Sequence, residues 1–214
     1  MKKYVYLLIF LFGFSNIVQA GAKLGVSLAG GVFETSAKEK ENDETSTSKD
    51  AEGLFAIPSI FAEVSPNDII FLGVDFVPVA LESETTDHKQ ADKTASATAS
   101  TVTQKAQVDF EDMLTVYARI AVNDAVYLKA GVMSVEAITN EVLGTGSKYP
   151  NKTLDGSMVG IGYENNLDSG AFIRAEVNYM EFDGETFTAD NTDNKVIVDD
   201  ITGYGARISV GRTF

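Results

Sequence analysis

Eight charged residues recur at positions that a two-residue alternation would bring onto one face of a series of strands. Arg119, Lys129, Arg174 and Arg207 are positive; Glu63, Asp75, Glu164 and Glu176 are negative. Two chemistries suit such a set. Carboxylates beside basic groups form a general acid–base pair with electrophilic support. The same residues form a structural ion-pair network, because a charge taken out of water persists only when it is paired. The even balance of sign, spread over many segments, favours the network, and the chain is read as non-enzymatic. His88 is the single histidine and lies in a polar stretch; a Ser-His-Asp relay needs its base held rigidly, and an imidazole metal site ordinarily uses more than one ring. Asp190-Asn-Thr-Asp-Asn194 has the look of a calcium loop without the central glycine or the distal bidentate glutamate, and reads as a solvated loop. With no cysteine, disulfides and thiolate metal sites are excluded. No cofactor or metal is expected.

The elements that position these charges are strands of period two. Val126, Leu128, Ala130 and Val132 oppose Tyr127, Lys129, Gly131 and Met133, while Ile173, Ala175, Val177 and Tyr179 oppose Arg174, Glu176 and Asn178. The same split holds for Leu24, Val26, Leu28 and Val32 against Gly25, Ser27, Ala29 and Gly31. It holds again for Leu114, Val116, Ala118 and Ile120 against Met113, Thr115, Tyr117 and Arg119. The last residues repeat it: Tyr204, Ala206, Ile208, Val210 and Phe214 are apolar, and Gly205, Arg207, Ser209, Gly211 and Thr213 alternate with them. Charges and glycines share the face that the large apolar residues avoid. Eight strands are expected, at 22–34, 53–64, 69–81, 108–122, 125–139, 156–165, 171–182 and 197–214. Pro58 and Pro78 interrupt the second and third, where a bulge would upset the alternation.

The connections alternate in length. Ser65-Pro66-Asn67-Asp68, Asn123-Asp124 and Asn165–Gly170 are short and rich in turn formers, whereas 35–52, 82–107, 140–155 and 183–196 are long and polar. Lys93–Thr101 is low in complexity and is expected to be mobile. Residues 1–20 read as a cleavable secretory signal: Lys2 and Lys3 precede an apolar run of about eleven residues, and Val18-Gln19-Ala20 supplies small residues at the cleavage point. That run is shorter than the roughly 18 residues a spanning helix needs. The expected organisation is therefore a signal at 1–20 and one domain at 21–214.

Removing the two lysines of the signal leaves 15 basic residues against 31 acidic ones, a net charge of −16. Such acidity excludes nucleic-acid binding. Yet 44% of the residues are hydrophobic, which separates the chain from acidic disordered ones. A membrane protein of this pattern has to be a closed barrel, since only helices and barrels satisfy every backbone group in lipid. Short turns on one rim and long loops on the other suit an all-β, eight-stranded antiparallel transmembrane barrel. The short turns and both termini would lie in the periplasm, the acidic loops outside, and the outward-facing aromatics Phe76, Tyr163, Tyr179, Tyr204 and Phe214 would include girdle residues. Eight strands leave an interior just wide enough for side chains to fill, so the charge network would plug it. The glycines on the same face would leave room for a channel.

Several ordered segments carry a family resemblance: Phe61–Pro78, Val126–Gly131, Gly160–Glu164 continuing through Ile173–Tyr179, and Gly205–Phe214. Together they resemble the small outer-membrane β-barrels of Gram-negative bacteria, the group containing the OmpA transmembrane domain and the OmpW and opacity-type proteins. The resemblance implies residence in the outer membrane, contact with its lipid and lipopolysaccharide, and insertion by an assembly machinery that recognises the terminal Phe214 strand. Arg212 departs from it, standing where relatives place an apolar residue. The function it implies is an envelope-structural role or surface interaction, including adhesion to an extracellular partner through the four long loops. The alternative is a narrow pore or a lateral route for small solutes or small hydrophobic molecules.

Overall fold

The computed structural model describes residues 21–41, 44–83, 86–92, 100–142, 147–191 and 193–214. The expected signal at 1–20 lies outside the described residues, as do residues 93–99 of the low-complexity stretch. Twelve strands form one antiparallel sheet: β1 (Ala22–Glu41), β2 (Glu44–Val64), β3 (Ile70–Phe76), β4 (Leu81–Glu82), β5 (Thr86–Asp92), β6 (Ser100–Ala121), β7 (Val126–Val142), β8 (Lys152–Asn166), β9 (Ala171–Phe182), β10 (Glu185–Thr188), β11 (Lys195–Val198) and β12 (Ile201–Thr213). β1 pairs with β2 on one side and with β12 on the other, so the sheet closes on itself. Its wall has eight strands, with β4 and β5 prolonging the line of β3 along β6 and the β10–β11 hairpin rising between β9 and β12.

The short turns are built by side chains that replace backbone partners. The Asn123 carboxamide oxygen accepts from the N–H groups of Ala125 and Val126, and Asn67 does the same for Ile69 and Ile70. Asp68 has a left-handed φ of 58° in its turn, and the Ser65 hydroxyl oxygen accepts its N–H at 2.8 Å.

Alternation is kept along the wall strands except at a bulge in β6. Leu28, Val132 and Ile208 face outwards at 61%, 63% and 64% exposure, in a belt with Leu24, Val26, Leu128, Val159, Ile161, Ile173 and Val177. So broad an apolar surface has no place in water. On a closed barrel it is the lipid-facing band, and the chain spans the outer membrane with its strands. Tyr179 and Tyr204 pair on the outside with ring centroids 5.2 Å apart.

The structure differs from the sequence-based expectation in four places. The stretches 35–52 and 82–107 are largely strand, since β1 and β2 pair as far as Glu41↔Glu44 and β5 pairs with β6. His88 lies in β5 opposite Gln104, and not in a free loop. Pro58 carries no bulge: Leu28↔Pro58 is in register, and the β1–β2 irregularity falls between Lys38 and Lys40. Pairing of β2 with β3 stops at Ile60↔Phe76, so no β3 partner is left to need the proline's missing N–H. Finally, β3 ends just before Pro78, and β6 answers with a bulge between Glu111 and Leu114 in which Asp112 has a φ of 54°. The bulge shifts the inward set from Met113 to Phe110 and Val108.

Candidate functional site

The lumen has two layers. Near the short-turn rim it is charged. Glu63 is the hub: the Arg174 guanidinium donates to both of its oxygens, through Nη1 at 2.8 Å, while Arg119 Nη2 donates at 3.2 Å and the Tyr117 hydroxyl at 2.9 Å. Glu164 accepts from Arg174 Nε and from Lys23, with Arg119 Nη2 at 3.4 Å. One step further in, Glu176 accepts from Lys129 at 3.1 Å and from the Tyr127 hydroxyl at 2.7 Å. Asp75 accepts from Arg207 and from the Ser59 hydroxyl at 3.0 Å, and Ser59 is 2.6 Å from Ser27.

Rings fill the space between these charges. The Arg119 guanidinium lies 3.8 Å from the Phe71 ring centroid, Lys129 Nζ lies 4.1 Å from Tyr117, and the Arg174 guanidinium lies 4.5 Å from Phe172. The inward glycines do not leave an open bore. A Cβ on Gly73 would lie 2.4 Å from the Tyr117 ring, and one on Gly162 would lie 2.3 Å from Tyr127. Each tyrosine lies across the glycine of a neighbouring strand, and this delivers its hydroxyl to Glu63 or Glu176.

The structure places the eight charges singled out in the sequence in three groups: Glu63 and Glu164 with Arg119 and Arg174, Glu176 with Lys129, and Asp75 with Arg207. Lys23 joins them as a ninth that the sequence reading passed over. It shares parity with Gly25 and Ser27, which was the available signal, but it precedes the first large apolar residue of its strand. With Lys23 the set has five cations against four anions. Tyr117 and Tyr127 were also missed as members. Phe214 is exposed at the short-turn rim, where its N–H donates to the Ala22 carbonyl, and Arg212 stacks on its ring at 5.8 Å.

Toward the long-loop end the lumen is apolar, which the sequence reading did not foresee. Phe55, Ile57, Val77, Met133, Val135, Leu154, Met158, Met180 and Phe182 form one buried cluster, packed by Phe33, Phe110 and Met113. Phe187 of β10 enters the cluster from above, with Val196 and Val198 of β11 beside it. The expected loop 183–196 therefore helps cover the barrel: Lys152 donates to Glu185 and to the Thr186 carbonyl, and Asp190 N–H donates to the Lys148 carbonyl. A cavity of about 270 Å³ lies within this layer, lined by Phe33, Ile57, Val77, Leu81, Phe110, Met113, Val135, Leu154, Phe182 and Ile201. It reaches the wall at Ala51, Gly53, Leu54 and Val79. There the wall is incomplete: beyond Ile60, β2 has β1 on one side and no β3, β4 or β5 pairing on the other among the described residues, because β4 and β5 pair only with β6.

The chain is thus a small outer-membrane β-barrel whose lumen holds a charged layer and an apolar chamber and whose wall, among the described residues, lacks pairing along the outer part of β2. No family model matches the chain, and no curated protein matches it in sequence. Among solved structures it is similar to the outer membrane protein OprG of Pseudomonas aeruginosa, with a TM-score of 0.58 and 13% identity over 91% of this chain and 96% of that one. It is also similar to the outer membrane protein AlkL in lipid bilayers, with a TM-score of 0.52 and 13% identity over 91% of this chain and 90% of that one. At these identities the likeness concerns the fold.

Proposed function

We propose that the chain is a non-enzymatic route by which small hydrophobic molecules pass between the cell exterior and the hydrocarbon of the outer membrane through the side of the barrel. One observation carries this reading: an apolar chamber meets the wall where β2 loses its partner. The charge layer supports it from below, because a bore filled by paired ions and rings turns an apolar solute sideways. The lumenal charges are engaged with one another, which leaves them a plug and not a reaction centre.

Gly53→Trp tests the route. A Cβ at Gly53 would meet nothing within 4 Å, so the indole can enter the chamber without displacing backbone. In proteoliposomes the native chain should speed entry of an apolar fluorescent probe, and Gly53→Trp should slow it to the protein-free rate while still giving a folded barrel. Equal rates for the two chains would refute the route. A second reading, surface interaction, is favoured by the β1–β2 hairpin, which stays paired out to Glu41↔Glu44 and whose sequence is rich in acidic residues. Contact with lipopolysaccharide and recognition of Phe214 by the assembly machinery go with either reading.

A further inference from the structure

Among the described residues, the only charged ones lining the chamber are Glu52 and Glu82, one on each side of the slot. Neither has an ion-pair partner among the described residues. Glu52 stands directly opposite Glu34 in the β1–β2 register, a like-charged pairing that costs stability unless a cation sits between. The carboxylates continue past the slot: Glu34, Asp50, Glu52, Asp199 and Asp200 line one polar hollow that shares Glu52 with the chamber. No lysine lines this hollow among the described residues, and the two nearest in the chain stay outside it. Lys38 lies 3.9 Å from Asp199 and is exposed, Lys49 adjoins Asp50 in the chain, and neither lines the chamber.

Resting on the lateral-route reading, we infer that the preferred solute is a cationic amphiphile: one short apolar chain that fills the chamber, carrying an ammonium-type head held between Glu52 and Glu82. The volume limits the tail, since about 270 Å³ falls just below the range of ligand pockets, roughly 300 to 1,000 Å³. Charge selects the head. A carboxylate head of equal tail length would meet repulsion at both rims of the slot, and a neutral head would gain nothing there.

Methionine methyl groups report occupancy directly, because Met113, Met133, Met158 and Met180 all belong to or pack against the apolar cluster. The full mature chain, carbon-13 labelled at its methionine methyls in lipid nanodiscs, is titrated with decyltrimethylammonium, decanol and decanoate. Met113 should respond to the ammonium at about tenfold lower concentration than to decanol, with decanoate weakest. The combined variant Glu52→Gln, Glu82→Gln should erase that order while its methyl spectrum still marks a folded barrel. Raising salt on the native chain should narrow the order as well, because exposed carboxylates are screened. Equal response to the three probes, or a preference that survives both the variant and high salt, overturns the inference and leaves the route standing. No methyl response to any probe overturns the route and the inference together.

Discussion

Glu63→Gln should destabilise the barrel more than Arg174→Met, although Arg174 bonds to two carboxylates. The cluster around Glu63 holds Lys23, Arg119 and Arg174 against Glu63 and Glu164, three cations and two anions. Neutralising Glu63 leaves one anion for three cations in a space with almost no solvent. Removing one partner of a buried pair costs about 3–5 kcal/mol, and here two guanidiniums lose the same negative charge. Replacing Arg174 has the opposite effect on charge and leaves two cations for two anions. Glu63 then keeps Arg119 at 3.2 Å and the Tyr117 hydroxyl at 2.9 Å, and Glu164 keeps Lys23. The methionine chain can also lie against Phe61 and Phe172, where the guanidinium now stacks. A cost of about 1–3 kcal/mol follows from the lost hydrogen bonds. A difference of about 2 kcal/mol moves a urea midpoint by about 1 M at an ordinary slope for a small protein. Urea titration of the chain folded in phospholipid vesicles, read by circular dichroism and the heat-dependent gel shift, measures both variants. The combined variant should cost less than the sum of the two, because it restores the net charge of the native cluster. An Arg174→Met midpoint at or below that of Glu63→Gln would refute the charge argument.

Two further outcomes follow from the same geometry. In planar bilayers the native chain should carry no steady current, and Arg174→Ala combined with Glu176→Ala should open discrete conducting steps, because the charge groups around Glu63 and around Glu176 each lose a member; a conducting native chain would show that the charges filter and do not plug. The β10–β11 hairpin should loosen in acid. Lys152 and the Thr186 N–H hold the Glu185 carboxyl below its ordinary value, so its contribution is complete at neutral pH, starts to fall below about pH 4 and is lost as pH passes the lowered folded value. The pair is partly exposed, so the effect is small and local. Amide exchange in 185–198 should rise below pH 4 in the native chain, and Glu185→Gln should show the faster exchange already at pH 7.

What could be read from the sequence depended on where the two faces of a strand meet different media. Within the bilayer one face meets lipid and the other meets the lumen, so Ile173 and Arg174, or Leu128 and Lys129, declare their sides by type alone. Beyond the bilayer both faces meet water, and the alternation disappears while the strand continues. That is why β5 and the outer ends of β1, β2 and β6 looked like loops. The apolar layer was hidden for the converse reason. Phe55, Ile57 and Met133 have inward parity, but an apolar residue on an inward position resembles one on an outward position unless the neighbouring strands are in register. The tyrosines show the same dependence, since Tyr127 reaches Glu176 only because Gly162 lies beside it on β8. Pro78 was visible as a disturbance, yet its consequence lies on another strand, in the partner that β2 loses. Chamber and slot both depend on register, which no single strand carries in its own sequence. The closed charge layer was composed of residues that announced themselves, and the slot was composed of a pairing that fails to form.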